Sequence, residues 1–360
     1  MKKSLSNRRV SLFAALLCAV TLTASAEEVK KEFHREMVPT DNSTLSIMNK
    51  FGAVVTETWD QNKIVVDVTV KVEHSSPDRA KKLLEMITVK FTEEGGNLTA
   101  ETIFSNDFSS TSWKGSNNNF SINYNIRMPA NINLKVDNKY GNTVIDEVSG
   151  HTSLNVKYGD LTVNKLSRGN VKPLNTIILA YGKASVDELG WAEINVRYCG
   201  MFSVESATAL LVDSKYSKVS VTEVSSLVAD SKYDGYVVGN ANNIVMVGGY
   251  TDLNFKKVNK KLEVETKYGN LSVDRIPAGF EKVTVKAGYC AVKLGIDPEA
   301  CYRLDANSSY GSVKVDDVNF SPDRRIVGNT STELAGKVGK CSNPTASVTV
   351  NASYGSVRLF

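Results

Sequence analysis

The chain has 360 residues, of which 42% are hydrophobic and 23% are charged, and its formal net charge is +4 at pH 7. Residues 1–26 hold four cationic residues and no acidic one, so the remainder is formally neutral and gives no electrostatic reason to expect nucleic-acid binding. The histidines are scattered, and no Cys/His spacing or glycine-rich phosphate loop is present, so neither a metal nor a cofactor is predicted.

Residues 1–26 have the order of a secretory signal peptide: basic residues, the apolar run Val10 to Leu22, and then Ala24-Ser25-Ala26. We expect cleavage after Ala26. The apolar run is too short to span a bilayer, and Cys18 does not follow the small residue that a lipoprotein signal requires. The sequence therefore predicts an exported protein, in the periplasm or at the outer cell surface, with no transmembrane segment after signal removal.

Residues 27–130 predict an N-terminal β region that contains one short helix. Ser76 as N-cap and Pro77 in the first turn favour a helix near residues 77–88, and its apolar residues fall on one stripe. The ends of a stacked β structure expose strand edges and core. We therefore expect this helix and its neighbouring strands to cover the N-terminal end or to pad the side.

A polar segment, residues 105–119, is rich in Ser and Asn and carries or borders three aromatic residues, Phe108, Trp113 and Phe120. Such a composition is typical of a surface loop. Aromatic side chains in it are candidates for a recognition tip, so these three residues are candidate binding residues. In the alternative, Trp113 packs onto the base of its own loop.

Residues 131–360, continuous with the N-terminal region, repeat a tyrosine. From Tyr181 to Tyr268 the steps are 17, 18, 17, 17 and 18 residues, and apolar residues recur three and five places after the ring. Phe51 has the equivalent place near the start of the chain, and residues 320–345 interrupt the pattern before the last copy. The tyrosines of the repeat are Tyr140, Tyr158, Tyr181, Tyr198, Tyr216, Tyr233, Tyr250, Tyr268, Tyr289, Tyr310 and Tyr354.

A fixed period of this length predicts a solenoid, and alternation of apolar and polar residues makes its units strands. The fold class predicted is all-β: a single-stranded parallel β-helix with coils of 17–18 residues, spaced at roughly 4.8 Å, and a tyrosine ladder. Because each tyrosine lies an even number of residues from the apolar positions before it, we expect its ring to point inward. The glycine that often follows is expected to ease the bend without being obligatory.

A basic residue commonly precedes the ring, with Lys139, Lys157 and Arg197 as examples, and acidic residues such as Asp137 and Asp213 stand two places earlier. We interpret this stripe first as ion pairs within and between coils. In the alternative, Lys139, Lys157 and Arg197 belong to a docking face for an anionic glycan.

An enzyme hypothesis requires carboxylates from neighbouring coils. Asp146 and Asp187, with Asn164 between them, occupy one column and would lie roughly 9.6 Å apart by twice the coil spacing. Inverting glycosidases hold their carboxyl groups roughly 6.5–9.5 Å apart. The same column is also what avoidance of like charges produces, and no cleft-forming insertion lies nearby. Catalysis by Asp146 and Asp187 is therefore the alternative, and no catalytic residue is assigned in the preferred interpretation.

Four cysteines follow the signal segment, at 199, 290, 301 and 341. Cys199 and Cys290 are separated by five coils, which is beyond the reach of a disulfide. Cys290, Cys301 and Cys341 lie nearer to one another in the predicted fold, and we favour Cys301–Cys341 as the pair. Buried free thiols are the alternative.

The signal segment, the Lys-Tyr-Gly-x-Leu-x-Val copies, the early helix and the closing Tyr354-Gly-Ser-Val-Arg-Leu together resemble the bacterial adhesin-like family of auto-transporter adhesin head (GIN) domains. The resemblance covers most of residues 40–360. It implies a right-handed single-stranded β-helix and an envelope or surface location. The function hypothesis is a non-enzymatic, adhesin-like envelope scaffold that binds an as yet unknown protein or glycan through its flank and loops. The alternative is a glycoside hydrolase or lyase.

Overall fold

The computed structural model describes residues 27–40, 42–108, 119–315 and 319–360. The predicted signal peptide and Trp113 lie outside these residues. The described chain is almost entirely β structure, with one helix, α1 (Pro77–Glu85). Its strands, all members of one hydrogen-bonded sheet, are β1 (Glu27–Met37), β2 (Thr44–Lys50), β3 (Val54–Thr58), β4 (Ile64–His74), β5 (Ile87–Glu94), β6 (Asn97–Phe104), β7 (Asn119–Met128), β8 (Asn133–Lys139), β9 (Thr143–Val148), β10 (Thr152–Lys157), β11 (Leu161–Leu166), β12 (Asn175–Ala180), β13 (Lys183–Arg197), β14 (Met201–Lys215), β15 (Lys218–Lys232), β16 (Gly235–Gly249), β17 (Asp252–Ile276), β18 (Lys282–Ile296), β19 (Tyr302–Ser309), β20 (Val313–Lys314), β21 (Phe320–Val327), β22 (Ser331–Val338), β23 (Ala346–Ser353) and β24 (Val357–Leu359).

From β8 to β18 each strand segment pairs in parallel with the equivalent segment of the next repeat. Val204 of β14 pairs with Val221 of β15, for example, and Val221 pairs in turn with Val238 of β16. Buried and exposed residues alternate along the strands because the backbone is extended. The inward residues, mostly Val, Leu and Ile, form one continuous core.

Each tyrosine of the repeat stands at a corner between two strand segments, and its backbone is left-handed. The φ angles of these eleven tyrosines lie between 53° and 60°. A residue in this conformation breaks the period-two alternation, because alternation of sides holds only while the backbone stays extended. The expectation that the rings point inward is therefore wrong: the tyrosines are 45–61% exposed.

The glycine that follows many of these tyrosines has a stricter role than the one predicted from the sequence. A Cβ atom on Gly141 would overlap the carbonyl oxygen of Gly52, and one on Gly159 would overlap the carbonyl oxygen of Gly141. None of these three glycines has a positive φ angle. Close approach of neighbouring backbones therefore requires glycine here, whereas the tyrosine supplies the unusual φ angle of the corner.

The N-terminal end of the stack is covered by strands that pair both in parallel and antiparallel. Strand β2 pairs with β8 on one side and with β6 on the other, and β6 pairs antiparallel with β5. Strand β7 lies beside β3 and extends the sheet through β4 to β1. Helix α1 packs Ala80 and Leu83 against Val72 of β4.

The helix is shorter than predicted, because Ile87 begins β5 instead of ending the helix. Ser76 has the extended backbone of an N-cap, but its side chain makes no capping hydrogen bond. The backbone N–H of Ser76 donates instead to Nδ1 of His74.

At the C-terminal end the order of the strands departs from the order of the chain. Strand β23 pairs in parallel with both β18 and β19, so the last repeat lies between two earlier ones. The hairpin of β21 and β22 brings the chain back, with β22 antiparallel to β19. Cys301 and Cys341 form a disulfide at this crossing, with their Cα atoms 6.0 Å apart. Cys199 and Cys290 are buried free thiols.

Candidate functional site

The tyrosines of the repeat form one column on the outside of the stack, which we call the tyrosine column. Neighbouring ring centroids are 4.6–5.1 Å apart, and neighbouring ring planes differ by 1–14°. Phe51 stacks on Tyr140 and begins the column. Along the column the order is Phe51, Tyr140, Tyr158, Tyr181, Tyr198, Tyr216, Tyr233, Tyr250, Tyr268, Tyr289, Tyr354 and Tyr310.

Hydrogen bonds between the corners hold the rings in this register. The backbone N–H of Tyr140 donates to the carbonyl of Lys157 at 2.9 Å, and that of Tyr198 donates to the carbonyl of Lys215 at 3.0 Å. Strand pairing therefore continues through the corner, and ring spacing follows strand spacing. Stacked aromatic pairs contribute about 0.5–1.5 kcal/mol beyond the area they bury, which helps to offset the cost of a left-handed tyrosine.

Stacking determines which part of each ring is available to a partner. Inside the column both faces of a ring lie against neighbouring rings, so the exposed half is the outer edge with its phenol hydroxyl. Among the described residues, no hydroxyl of the column has a hydrogen-bond partner, in contrast to the interior hydroxyls of Tyr124 and Tyr236. The column therefore offers a line of free donors and acceptors, not a set of open aromatic faces.

A row of lysines runs along one side of the column, each directly before a ring. We call it the lysine row: Lys50, Lys139, Lys157, Lys215, Lys232 and Lys267. Within the described chain none of these lysines has a carboxylate within ion-pair distance. Arg197, at the equivalent position, does pair with Asp213, at 2.6 Å, and also donates to the carbonyls of Val196 and Asp213. The predicted stripe of ion pairs is thus wrong except at Arg197.

The candidate carboxylates Asp146 and Asp187 lie on the outward side of the sheet that follows the corners, where Asp146 is half-buried. Asp146 accepts hydrogen bonds from the backbone N–H of Thr58 at 3.0 Å and from the side chain of Asn164 at 2.9 Å. Asp187 is exposed. The arrangement is a surface polar ladder in which Asn164 separates the two acids.

Phe108 and Phe120, the two described members of the proposed recognition tip, pack at the N-terminal end of the tyrosine column. The Phe120 ring lies 5.1 Å from Phe51, and the Phe108 ring lies 4.5 Å from Phe104. Both rings are partly buried against the core. Phe120 covers Phe51, the first ring of the column, and Phe108 packs behind it, with ring centroids 5.7 Å apart.

Two features of the described surface and interior were not predicted from the sequence. The first is a shallow apolar hollow on the sheet face that precedes the corners. Its centre is formed by Leu211, Val228, Val245 and Val247, with carboxylates such as Asp230 on its rim. The sequence signal was available, because these residues occupy outward positions of the repeat, where polar residues are usual.

The second feature is a buried polar network around Asp234. Its carboxylate accepts hydrogen bonds from the hydroxyls of Ser214 and Ser231, both at 2.7 Å, and from the backbone N–H of Ser217 at 2.6 Å. The hydroxyl of Tyr236 lies 2.6 Å from Ser214 Oγ, and burial raises the pKa of Tyr236. Asp234 stands in the place that glycine takes at other corners, so this network replaces a glycine corner.

The described chain has neither a cluster of metal ligands nor a membrane-spanning helix. No cluster of three or more His, Cys, Asp or Glu residues there could hold a metal ion. Helix α1 has only nine residues, and none of the described helical structure is long and apolar enough to cross a bilayer.

Comparison with known proteins gives structural matches but no sequence match: no family model and no curated protein matches the chain. A candidate cell adhesion protein from Clostridium sporogenes aligns with 12% identity over 92% of this chain and 99% of its own, with a TM-score of 0.18. A candidate lipid-binding protein from Parabacteroides distasonis aligns with 8% identity over 91% and 96%, with a TM-score of 0.34. A candidate adhesin from Bacteroides fragilis aligns with 9% identity over 92% and 97%, with a TM-score of 0.26. At these TM-scores the similarity assigns neither a fold family nor a function.

Proposed function

We propose that the protein is an exported, non-enzymatic, adhesin-like scaffold of the bacterial envelope that binds an extended protein or glycan along its flank. In this proposal the stack is a right-handed single-stranded parallel β-helix of 17–18-residue coils, as in the adhesin-head (GIN) domains that the sequence resembles. Residues 27–130 close its N-terminal end, and the repeats from residue 131 onward form the binding body.

The observation that carries this proposal is the tyrosine column. Eleven tyrosines in one line are each about half exposed, and the hydroxyls have no partner among the described residues. A core-forming ladder would bury these rings, whereas here the rings stack on one another and still present their outer edges to solvent. A regular line of exposed polar edges fits a partner that is itself extended and repetitive.

One further observation supports the proposal. Asp187 is exposed, and the half-buried Asp146 is held by hydrogen bonds from the backbone of Thr58 and the side chain of Asn164. Such a pair favours binding over hydrolysis, because a general acid needs a site that excludes water.

The test combines location, binding and turnover. Cell fractionation with N-terminal sequencing should find the chain in the envelope or the medium, beginning at Glu27. The purified chain should bind envelope glycans or proteins on an array without releasing product, and the D146N/D187N double variant should bind equally well. Cytoplasmic location, or product release that the double variant abolishes, would overturn the proposal.

A further inference from the structure

The middle of the tyrosine column differs from the rest in the charges beside it. From Tyr181 to Tyr233 the residue directly before the ring is Ala180, Arg197, Lys215 or Lys232. On the other side, two places after the ring, stand Lys183 and Lys218, both exposed. Over these four rings the two flanking rows contain cations and no carboxylate.

The nearest carboxylates leave this excess of positive charge largely uncompensated. Asp213 pairs with Arg197, and Asp230 stands one row further away. Asp160 and Asp252, the acidic residues of the flanking rows, lie at the neighbouring corners above and below. Oδ1 of Asp160 accepts a hydrogen bond from the backbone N–H of Lys183, and Oδ1 of Asp252 accepts one from the side chain of Asn270. Lys183, Lys215, Lys218 and Lys232 have no ion pair within the described chain.

We infer that this segment, which we call the central strip (Tyr181, Tyr198, Tyr216, Tyr233 and their flanking cations), binds a linear acidic polysaccharide lying along the column. The inference rests on the proposed function and names its ligand class and its surface. Phenol hydroxyls donate to and accept from sugar hydroxyls and carboxylates, while the ammonium groups attract the acidic groups. Neighbouring ring centroids along the strip and its flanking rings are 4.7–5.1 Å apart. This distance is similar to the length of one sugar unit in a linear polysaccharide, so each sugar would meet one phenol.

The closed ring faces distinguish this ligand from other extended molecules. Single-stranded nucleic acids gain much of their affinity by stacking bases on open aromatic faces, and neutral sugars commonly lie flat on such faces. In the column each face is covered by the next ring. A membrane surface calls for apolar side chains that enter the lipid, whereas the strip presents phenol edges. Hydrogen bonds and positive charge remain as the means of recognition, and an acidic glycan uses both.

The test measures the affinity of the full chain for polygalacturonate and for its fully methyl-esterified form. The acidic polymer should bind, with an affinity that falls as salt is raised, and the neutral ester should not. In the strip variant K183Q/K215Q/K218Q/K232Q we expect the affinity for polygalacturonate to fall about tenfold, from the summed loss of four charge contacts at the surface. The control variant K257Q/K260Q/K293Q/K314Q removes the same charge from exposed lysines outside the flanking rows and should bind like the parent.

The phenol hydroxyls have their own test. Y198F/Y216F keeps both rings, and thus the stack, while removing two exposed hydroxyls, and we expect it to weaken binding several-fold without changing the unfolding midpoint.

The strip inference fails if the strip and control variants bind equally, or if a dT oligonucleotide or phosphatidylglycerol vesicles bind and polygalacturonate does not. Array binding that the strip variant retains in full would overturn only this inference and leave the proposed function standing. If the parent chain binds nothing on the array, both the strip inference and the proposed function are overturned.

Discussion

Corners with glycine and corners without it turn the chain at the same left-handed tyrosine by different means. At the Gly141 and Gly159 corners, neighbouring backbones come so close that a Cβ atom has no room. At the Ser217 and Asp234 corners, side chains occupy the space, and the N–H of Ser217 donates to the Asp234 carboxylate.

Ring spacing is the same in both groups, at 5.0 Å for Tyr140–Tyr158 and for Tyr216–Tyr233. The spacing of the tyrosine column therefore follows strand spacing, and the column tolerates two kinds of corner. One kind needs the close backbone approach that glycine allows, and the other needs its hydrogen-bonded side chains. A single residue transferred from one kind to the other should damage the fold.

The largest effect is expected for Gly159→Ala. The new methyl group would overlap the carbonyl of Gly141, and two paired backbones cannot separate without loss of strand hydrogen bonds, so we expect a loss of about 3 kcal/mol or more. Gly235→Ala is the matched control, because a Cβ there meets no atom within 4 Å. Thermal and urea unfolding measure the stability of both variants. Equal unfolding midpoints would contradict the close approach of the Gly141 and Gly159 backbones.

Asp234→Ala should come next. It leaves the hydroxyls of Ser214 and Ser231 and the N–H of Ser217 without their buried acceptor, which we expect to cost about 2–3 kcal/mol. Asp230→Ala removes an exposed carboxylate from the same strand region and should leave the urea midpoint unchanged. If Asp234→Ala were also silent, the central corners would not depend on the network.

Substitutions at Tyr216 separate stacking from backbone strain. Tyr216→Ala removes the contacts with Tyr198 and Tyr233 but keeps a φ angle that alanine adopts poorly, so we expect a loss of about 2 kcal/mol. Tyr216→Gly loses the same stacking and accepts the positive φ angle, so it should be less destabilising by about 1 kcal/mol. An alanine variant more stable than the glycine variant would argue against a left-handed corner.

The smallest effect at neutral pH is expected for Tyr236→Phe, since Ser214 keeps its bond to Asp234. The difference should appear at high pH. Burial raises the pKa of Tyr236 in the folded chain, so as pH rises above about 10 the unfolded state ionises first and the parent loses stability. The phenylalanine variant lacks this ionisable group, so its stability should fall less over the same pH range. Urea midpoints between pH 8 and pH 11 measure it, and parallel curves would contradict the buried hydroxyl.

The sequence predicted the repeat because spacing and alternation are local properties. The same alternation predicts the wrong ring direction, since one residue with a positive φ angle reverses the phase, and tyrosine rarely adopts that conformation. The order of the last rings, with Tyr354 between Tyr289 and Tyr310, depends on a returning hairpin and cannot follow from repeat spacing. Ion pairing along the lysine row does not follow from spacing either, since Asp137 accepts a hydrogen bond from Asn155 of the next repeat at 3.0 Å and forms no ion pair with Lys139.

Chemical modification of tyrosine tests the central claim most directly. Of the fourteen tyrosines, the eleven in the column are exposed, whereas Tyr124, Tyr236 and Tyr302 are at most 4% exposed. Nitration of the folded chain by tetranitromethane, mapped by mass spectrometry, should modify the eleven and spare the three. Protection of the column tyrosines, or equal modification of all fourteen, would contradict an external column.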